Sequence, residues 1–251
     1  MSASSFVSNS TACGVTSVVL MGSTAVNTVF RANQAALCPA VPSSNVAIQG
    51  GTLINCLVLG NTTGSSALTV SGGVLVNSIV WDNCSPSLGT CGKAQVAPTA
   101  DVRYSAVQNW TGTTQFGNSS ADPLVDPNTL QLLPGSPAID AGDTLAVPPG
   151  VQTDQIGQWR FIAGGGSPLG AGPAPRVDRG PLEFGDAPAY CYANIDQSTG
   201  VPALTPSDFV AFLGLYRAGH PVANCDGSAL TPVLTPADFV CFVSRYRAGC
   251  P

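Results

Sequence analysis

Short apolar runs framed by asparagine recur along residues 16–110 and predict strands that stack in a regular repeat. One strand-bearing unit per roughly 20–30 residues is the period of a solenoid coil. Because asparagine returns at fixed offsets, we expect it at the bends, stacked into side-chain ladders between coils. The pattern favours a parallel β-helix, with an antiparallel sandwich as the alternative. The runs that share the template Asn-x-Φ-Φ-x-x-Asn, with Φ apolar, are Asn27–Asn33, Asn55–Asn61, Asn77–Asn83 and, more weakly, Tyr104–Val107.

A second pattern, with helical period, occurs twice at the end of the chain. Residues 192–221 and 222–251 align without gaps and are identical at 17 of 30 positions, so they are a tandem duplication. In each copy Thr-Pro, at Thr205 and Thr235, predicts a helix N-terminus. The helix would carry one apolar stripe, and two such helices would pack face to face to bury it. The stripes are Phe209, Phe212, Leu213 and Tyr216 in the first copy, and Phe239, Phe242, Val243 and Tyr246 in the second.

Ahead of each predicted helix lies a polar loop with alternating oxygen-bearing side chains, the donor type that Ca²⁺ requires. The acid inside each helix also stands where it would cap free N–H groups, so helix capping without a metal is the alternative. Because each loop brings only two carboxylates, we expect weak affinity. The candidate calcium ligands are Asn194, Asp196, Ser198 and Asp208 in the first copy, and Asn224, Asp226, Ser228 and Asp238 in the second.

The nine cysteines in a chain with only 9% charged residues favour an oxidising compartment. Cys225 and Cys241 are replaced together, by Ile195 and Ala211, in the first copy, as expected for a bonded pair. We pair the remaining cysteines by position, which leaves Cys56 as a buried thiol. Residues 1–15 lack a signal peptide, so we interpret the chain as a C-terminal fragment of an exported protein or as the product of a late start codon. The other expected pairs are Cys191 with Cys250, Cys84 with Cys91, and Cys13 with Cys38.

The stretch ANCDGS…PVLTPADFVCF…RAGCP, with its divergent first copy, resembles the GC-type dockerin-like modules of bacterial exported proteins. The resemblance implies a small all-α calcium-binding module that attaches its protein to a cohesin-like partner or to the cell surface. Segments 121–143, 151–161 and 177–185 resemble the closing parts of right-handed parallel β-helix proteins of the pectate-lyase type. The predicted organisation is a truncated β-helix region over 1–185, a linker over 186–190 and the dockerin-like module over 191–251.

The net charge of the chain and its few candidate catalytic residues narrow the classes of function that it can have. The net charge of −5 and the lack of a basic cluster argue against nucleic acid as a partner, and no apolar run is long enough to span a bilayer. The only histidine, His220, lies in the duplication, so a histidine-dependent active site in the solenoid is excluded. Asp82 and Asp101 are candidates for hydrolysis by two carboxylates, although we interpret them as turn and strand residues.

We therefore predict a non-catalytic extracellular or cell-surface protein. It would be anchored by its calcium-binding module and could bind a polysaccharide. The alternative is the C-terminal part of a polysaccharide lyase or a glycoside hydrolase.

Overall fold

The computed structural model describes residues 4–9, 18–34, 46–63, 69–85, 90–91, 95–112, 116–162, 164, 170–185, 191–198, 202–228 and 231–250. Within these ranges short, mostly parallel strands precede two helices, so the protein is mainly β, as predicted. We call residues 4–185 the body, residues 121–185 the closing segment of the body, and residues 191–250 the helical unit. The predicted linker, residues 186–190, lies outside the described ranges, and the domain boundaries stay a prediction.

Successive units of the body stack their strands into parallel sheets. The strands are β1 (Ser5–Val7), β2 (Val18–Met21), β3 (Thr24–Val26), β4 (Val29–Arg31), β5 (Val46–Gln49), β6 (Thr52–Ile54), β7 (Leu57–Leu59), β8 (Val74–Val76), β9 (Ile79–Trp81), β10 (Cys84–Ser85), β11 (Thr90–Cys91), β12 (Asp101–Arg103) and β13 (Ala106–Val107). The first sheet has the order β1-β4-β7-β9-β13 and the second the order β12-β8-β6-β3. Strands β2 and β5 form a further parallel pair, while β10 and β11 form an antiparallel one.

The first asparagine of the repeated template forms the corner between the two sheets. Asn27, Asn55 and Asn77 each connect a strand of the second sheet to one of the first, with φ values of 50°, 51° and 52°. Asparagine tolerates this left-handed backbone better than most residues. Tyr104 takes the same place in the fourth unit, with φ of 46°. The repeated bend therefore returns the chain to the same register in each unit.

The second asparagine of the template forms a buried ladder. Asn33 Nδ2 donates to Asn61 Oδ1 at 2.9 Å, and Asn61 Nδ2 donates to Asn83 Oδ1 at 2.8 Å. Gln95 extends the ladder by accepting from Asn83 Nδ2 at 2.7 Å. The same oxygens accept the backbone N–H groups of Asn33 and Asn61. The predicted ladder is present, and it satisfies polar groups that are buried between the repeated units.

The first sheet is buried on both faces, which defines two apolar layers. On the inside, Phe30, Val58 and Val80 belong to a cluster between the sheets. On the outside, Leu57 and Ile79 are covered by side chains of the closing segment, among them Leu132, Ala138 and Ile139. The corner asparagines help to hold that segment, since Nδ2 of Asn27 donates to Thr153 O at 2.9 Å and Nδ2 of Asn77 donates to Asp143 O at 2.9 Å.

Two helices, α1 (Pro206–Arg217) and α2 (Pro236–Ala248), form at the predicted positions and pack through their aromatic stripes. The rings of Phe212 and Phe242 stack with centroids 4.1 Å apart, and those of Phe209 and Phe239 meet edge-on at 5.5 Å. Both phenylalanines of the stacked pair are fully buried. The face-to-face packing expected from the duplicated stripe is therefore present.

Among the described residues three disulfides are present, each at an expected pair: Cys191–Cys250, Cys225–Cys241 and Cys84–Cys91. The first closes the two ends of the helical unit on each other, and the third braces the β10–β11 hairpin. Cys56 is a buried free thiol, as predicted, and burial raises its pKa to about 12. The expected pair of Cys13 and Cys38 lies outside the described residues.

Candidate functional site

Each helix of the helical unit has in its first turn an aspartate that accepts from two backbone N–H groups at once. Asp208 Oδ2 accepts from Thr205 N at 2.8 Å, completing a capping box, and Asp208 Oδ1 accepts from Asp196 N at 3.2 Å. In the second copy, Asp238 binds Thr235 N and Asp226 N with the same distances. Each helix acid therefore caps its helix and also draws the polar loop against it.

The first loop closes on itself around its alternating polar residues. Asn194 Nδ2 donates to Ser198 O at 2.9 Å, and Ser198 N donates to Asp196 Oδ1 at 3.0 Å. The second loop repeats this arrangement between Asn224, Asp226 and Ser228, at 2.8 and 2.9 Å. Hydrogen bonds thus link the four predicted residues of each copy, while the hydroxyl groups of Ser198 and Ser228 donate to Ala203 O and Val233 O.

The two loops differ at their first residue, although both have asparagine there. Asn194 Oδ1 accepts the N–H of Ser198 at 3.1 Å. Asn224 Oδ1 is buried without a donor among the described residues, and the whole residue is 0% exposed. A buried acceptor without a partner costs about 1–3 kcal/mol. The second loop therefore has an oxygen that a bound ion would satisfy, and in the first loop that oxygen already accepts a bond.

The paired carboxylates make both loops electronegative. Burial raises the pKa of Asp208, and the charge of Asp196 raises it further, while backbone N–H groups act in the opposite direction. In the second copy the backbone N–H of Ser228 lowers the pKa of Asp226. Neither carboxylate pair takes part in a salt bridge within the described ranges. Two neighbouring carboxylates without a cationic side chain favour the binding of a cation.

The residues present suit calcium better in the second loop than in the first. The donors are carboxylate, amide and hydroxyl oxygens, which are the ligands of a hard cation. Ca²⁺ takes 6–8 oxygens, so the side chains of one loop cannot complete its coordination alone. Among the described residues, no three acidic, histidine or cysteine side chains group as a metal site. If the second loop binds Ca²⁺, Asn224, Asp226, Ser228 and Asp238 would hold it together with backbone carbonyls or water.

The two candidate catalytic carboxylates belong to different sheets. Asp82 follows β9 of the first sheet at a corner, where its Oδ1 accepts from Gln108 Nε2 at 3.0 Å. Asp101 begins β12 of the second sheet and forms an exposed salt bridge with Arg103 at 2.6 Å. The structure therefore gives each carboxylate a separate local partner and does not present the two as one site.

A buried charged cluster in the closing segment was missed by the sequence analysis. Arg160 and Glu183 form a fully buried salt bridge at 2.6 Å, and Asp178 N donates to the other oxygen of Glu183. Burial raises the pKa of Asp178 to about 7, and burial followed by the charge of Asp178 raises that of Glu183. The concentration of charge in VDRGPLEFG, within a chain so poor in charge, was the available signal.

A cavity of about 230 Å³ lies next to this cluster, lined by Gln131, Leu132, Gln158, Glu183, Phe184 and Gly185. Glu183 is only 2% exposed, and both of its carboxylate oxygens are used by the cluster. The buried charges therefore hold the closing segment together and are not displayed to a ligand in the cavity.

Contact between the helical unit and the body was also missed. Trp159, Phe161, Ile162 and Val177 of the closing segment belong to the same apolar cluster as the stacked phenylalanines of the helices. His220, the only histidine, is buried at this boundary against the ring of Phe161, with centroids 4.7 Å apart. These contacts join residues far apart in the chain, so no local sequence pattern predicts them.

Compared with models of protein families, with curated proteins and with solved structures, the chain matches none. Neither described helix is long and apolar enough to cross a membrane.

Proposed function

We propose that this chain is an exported protein in which a dockerin-like calcium module anchors a right-handed parallel β-helix. The β-helix is supported by the stacked parallel strands, the repeated left-handed corner and the buried asparagine ladder. Three disulfides support an oxidising, extracellular location, because a reducing cytosol would keep these cysteines as thiols.

The observation that carries the calcium proposal is the second loop. Asn224 Oδ1 is buried without a donor among the described residues. In the same copy the backbone N–H of Asp226 donates to Asp238 Oδ1 at 3.2 Å, which draws the loop against the helix acid. The duplication supplies an internal comparison, since the first loop has the same ligand types with its asparagine oxygen already bonded. The second loop is therefore the primary calcium site in this proposal.

An anchoring role is supported by the outer faces of the two helices. Val210 and Val240 occupy equivalent positions in α1 and α2 and are 70% and 67% exposed. Large apolar side chains left in water at matching places offer a contact for a cohesin-like or cell-surface partner. The alternative, a polysaccharide lyase or glycoside hydrolase, lacks such support because Asp82 and Asp101 are engaged in different sheets.

The calcium proposal is tested with the full chain by calorimetric titration and thermal melting. We expect millimolar Ca²⁺ to raise the melting temperature and EDTA to reverse the rise, because an ion that binds only the folded state stabilises it. Asp226→Asn keeps the shape of the loop but removes one ligand charge, and should weaken binding roughly tenfold. Asp196→Asn is the matched control and should weaken it less. An unchanged melt in millimolar calcium would defeat the proposal.

A further inference from the structure

We propose that the closing segment of the body is part of the calcium-binding unit, with Gln152 positioning the second loop. Docking of the helical unit on the body and binding of calcium would then be one coupled equilibrium. This inference rests on the calcium binding proposed above and adds to it a role for residues outside the duplication.

The apolar contact between body and helical unit is substantial. The rings of Trp159 and Tyr192 lie 6.2 Å apart, and Phe161 meets His220 edge-on at 4.7 Å. Trp159 and Phe161 are 4% and 1% exposed, so undocking would expose two large aromatic side chains to water. The helical unit is therefore packed on the body, and its loops keep a defined position relative to the closing segment.

Hydrogen bonds join the body to both candidate calcium loops. Gln152 Nε2 of the body donates to the backbone oxygen of Asn224 at 3.2 Å. In the other loop Gln197 Nε2 donates to Phe161 O at 2.8 Å. Asn224 is the first candidate ligand of the second loop. Gln197 lies between Asp196 and Ser198, two candidate ligands of the first loop. The body is thus bonded to the same short segments that present the metal-binding oxygens.

Two glycines bring the second loop directly against the body. Gly150 and Gly227 both have left-handed backbones, with φ of 81° and 69°, and a Cβ built on Gly150 would lie 3.8 Å from Gly227 Cα. Gly227 stands between Asp226 and Ser228, two of the candidate ligands. The backbone of the second loop consequently lies so close to the body that a methyl group added at Gly150 would touch it.

These contacts make Gln152 a positioning residue. By holding the Asn224 backbone it keeps the unpartnered Oδ1 in the position that the ion would use. Any change that stabilises the docked form relative to the undocked form must then strengthen calcium binding. Calcium must strengthen docking by the same factor.

The test compares two glutamines of one segment in the full chain. Gln155 Nε2 bonds Ser4 O and Ser5 Oγ on another side of the body, so Gln155→Ala is the matched control for Gln152→Ala. We expect Gln152→Ala to weaken calcium binding about threefold to tenfold by calorimetric titration, the range for losing one hydrogen bond. Gln155→Ala should leave the dissociation constant unchanged. If the two glutamines had only structural roles, each substitution would lower the melting temperature and neither would change the affinity for calcium.

Hydrogen exchange supplies a readout that does not need the variant to fold. Calcium should slow exchange of the amides in residues 151–162 of the wild-type chain, because the ion stabilises the docked form. If the wild-type chain takes up no calcium, the proposed function fails, and this inference with it. If it takes up calcium while residues 151–162 exchange at an unchanged rate, or if Gln152→Ala binds as tightly as wild type, the inference alone is overturned.

Discussion

At the scale of single residues, His220 shows how one buried polar side chain serves the boundary between body and helices. Its Nδ1 accepts the N–H of Val222 at 3.1 Å, so the ring proton lies on Nε2, which donates to Pro175 O at 3.2 Å. Burial lowers the pKa of His220 to about 4. The ring is therefore neutral in the folded protein near neutral pH, with both nitrogens bonded.

This geometry predicts a specific sensitivity to acid. Between pH 6.5 and 4 the unfolded chain binds a proton on His220 and the folded chain does not, so stability falls as the pH falls. The loss from pH 7 to pH 5 should be about 2 kcal/mol. Urea unfolding at both pH values should give a change in stability from pH 7 to pH 5 that is about 2 kcal/mol less favourable in the wild type than in His220→Gln. Asp178, whose raised pKa acts in the opposite direction, is common to both proteins and cancels in the difference. Equal pH dependence of the two proteins would contradict the assignment.

Residue types do not reveal how the first residue of each polar loop is bonded. Asn194 and Asn224 occupy the same place in the duplication. In the structure one amide oxygen accepts a backbone N–H and the other is buried without a donor. The difference arises from the local path of the backbone, which a list of residue types does not contain.

At the scale of the element, the asparagine ladder should be a sensitive part of the body. Asn61→Ala removes the acceptor for the N and Nδ2 of Asn33 and the donor to Phe30 O. Leaving several buried polar groups unpaired should lower the free energy of unfolding by about 3–5 kcal/mol. Asn128→Ala is the control, since the exposed Asn128 bonds Asp126 through its backbone N–H. Chemical denaturation measures both, and similar small effects would show that the ladder contributes little.

Strands and helices were predictable because their periods are visible in the chain. The corner asparagine repeats with the strand unit, and the threonine, proline and aromatic stripe repeat with the duplication. The closing segment has no such repeat, and its contacts are long-range: Asn27 Nδ2 bonds Thr153 O, 126 residues away in sequence. The role of Gln152 depends on the same kind of contact, so it becomes apparent only from the folded chain.

At the scale of the whole molecule, the internal docking limits which surface can meet a partner. The inner side of the helical unit is packed on the body, whereas Val210 and Val240 face outward. We expect Val210→Lys with Val240→Lys to abolish retention of the chain on envelope preparations of its source cells in calcium. Stability should change by less than about 0.5 kcal/mol because both positions are exposed.

The matched control for this surface is Ile156→Lys, which changes a body residue that is 58% exposed. It should leave retention intact if the helices provide the anchor. Loss of retention in the control, or full retention in the double variant, would assign the contact to another part of the molecule.

The bond between Cys191 and Cys250 has a mechanical consequence for any anchored form of this protein. A pulling force applied at the outer faces of the helices reaches the body through Cys191 by two covalent routes, one along the chain and one through the disulfide. Both helices and both polar loops lie inside this covalent ring, so the two routes share the load. Drag on the body would extend the helical unit by no more than the ring allows.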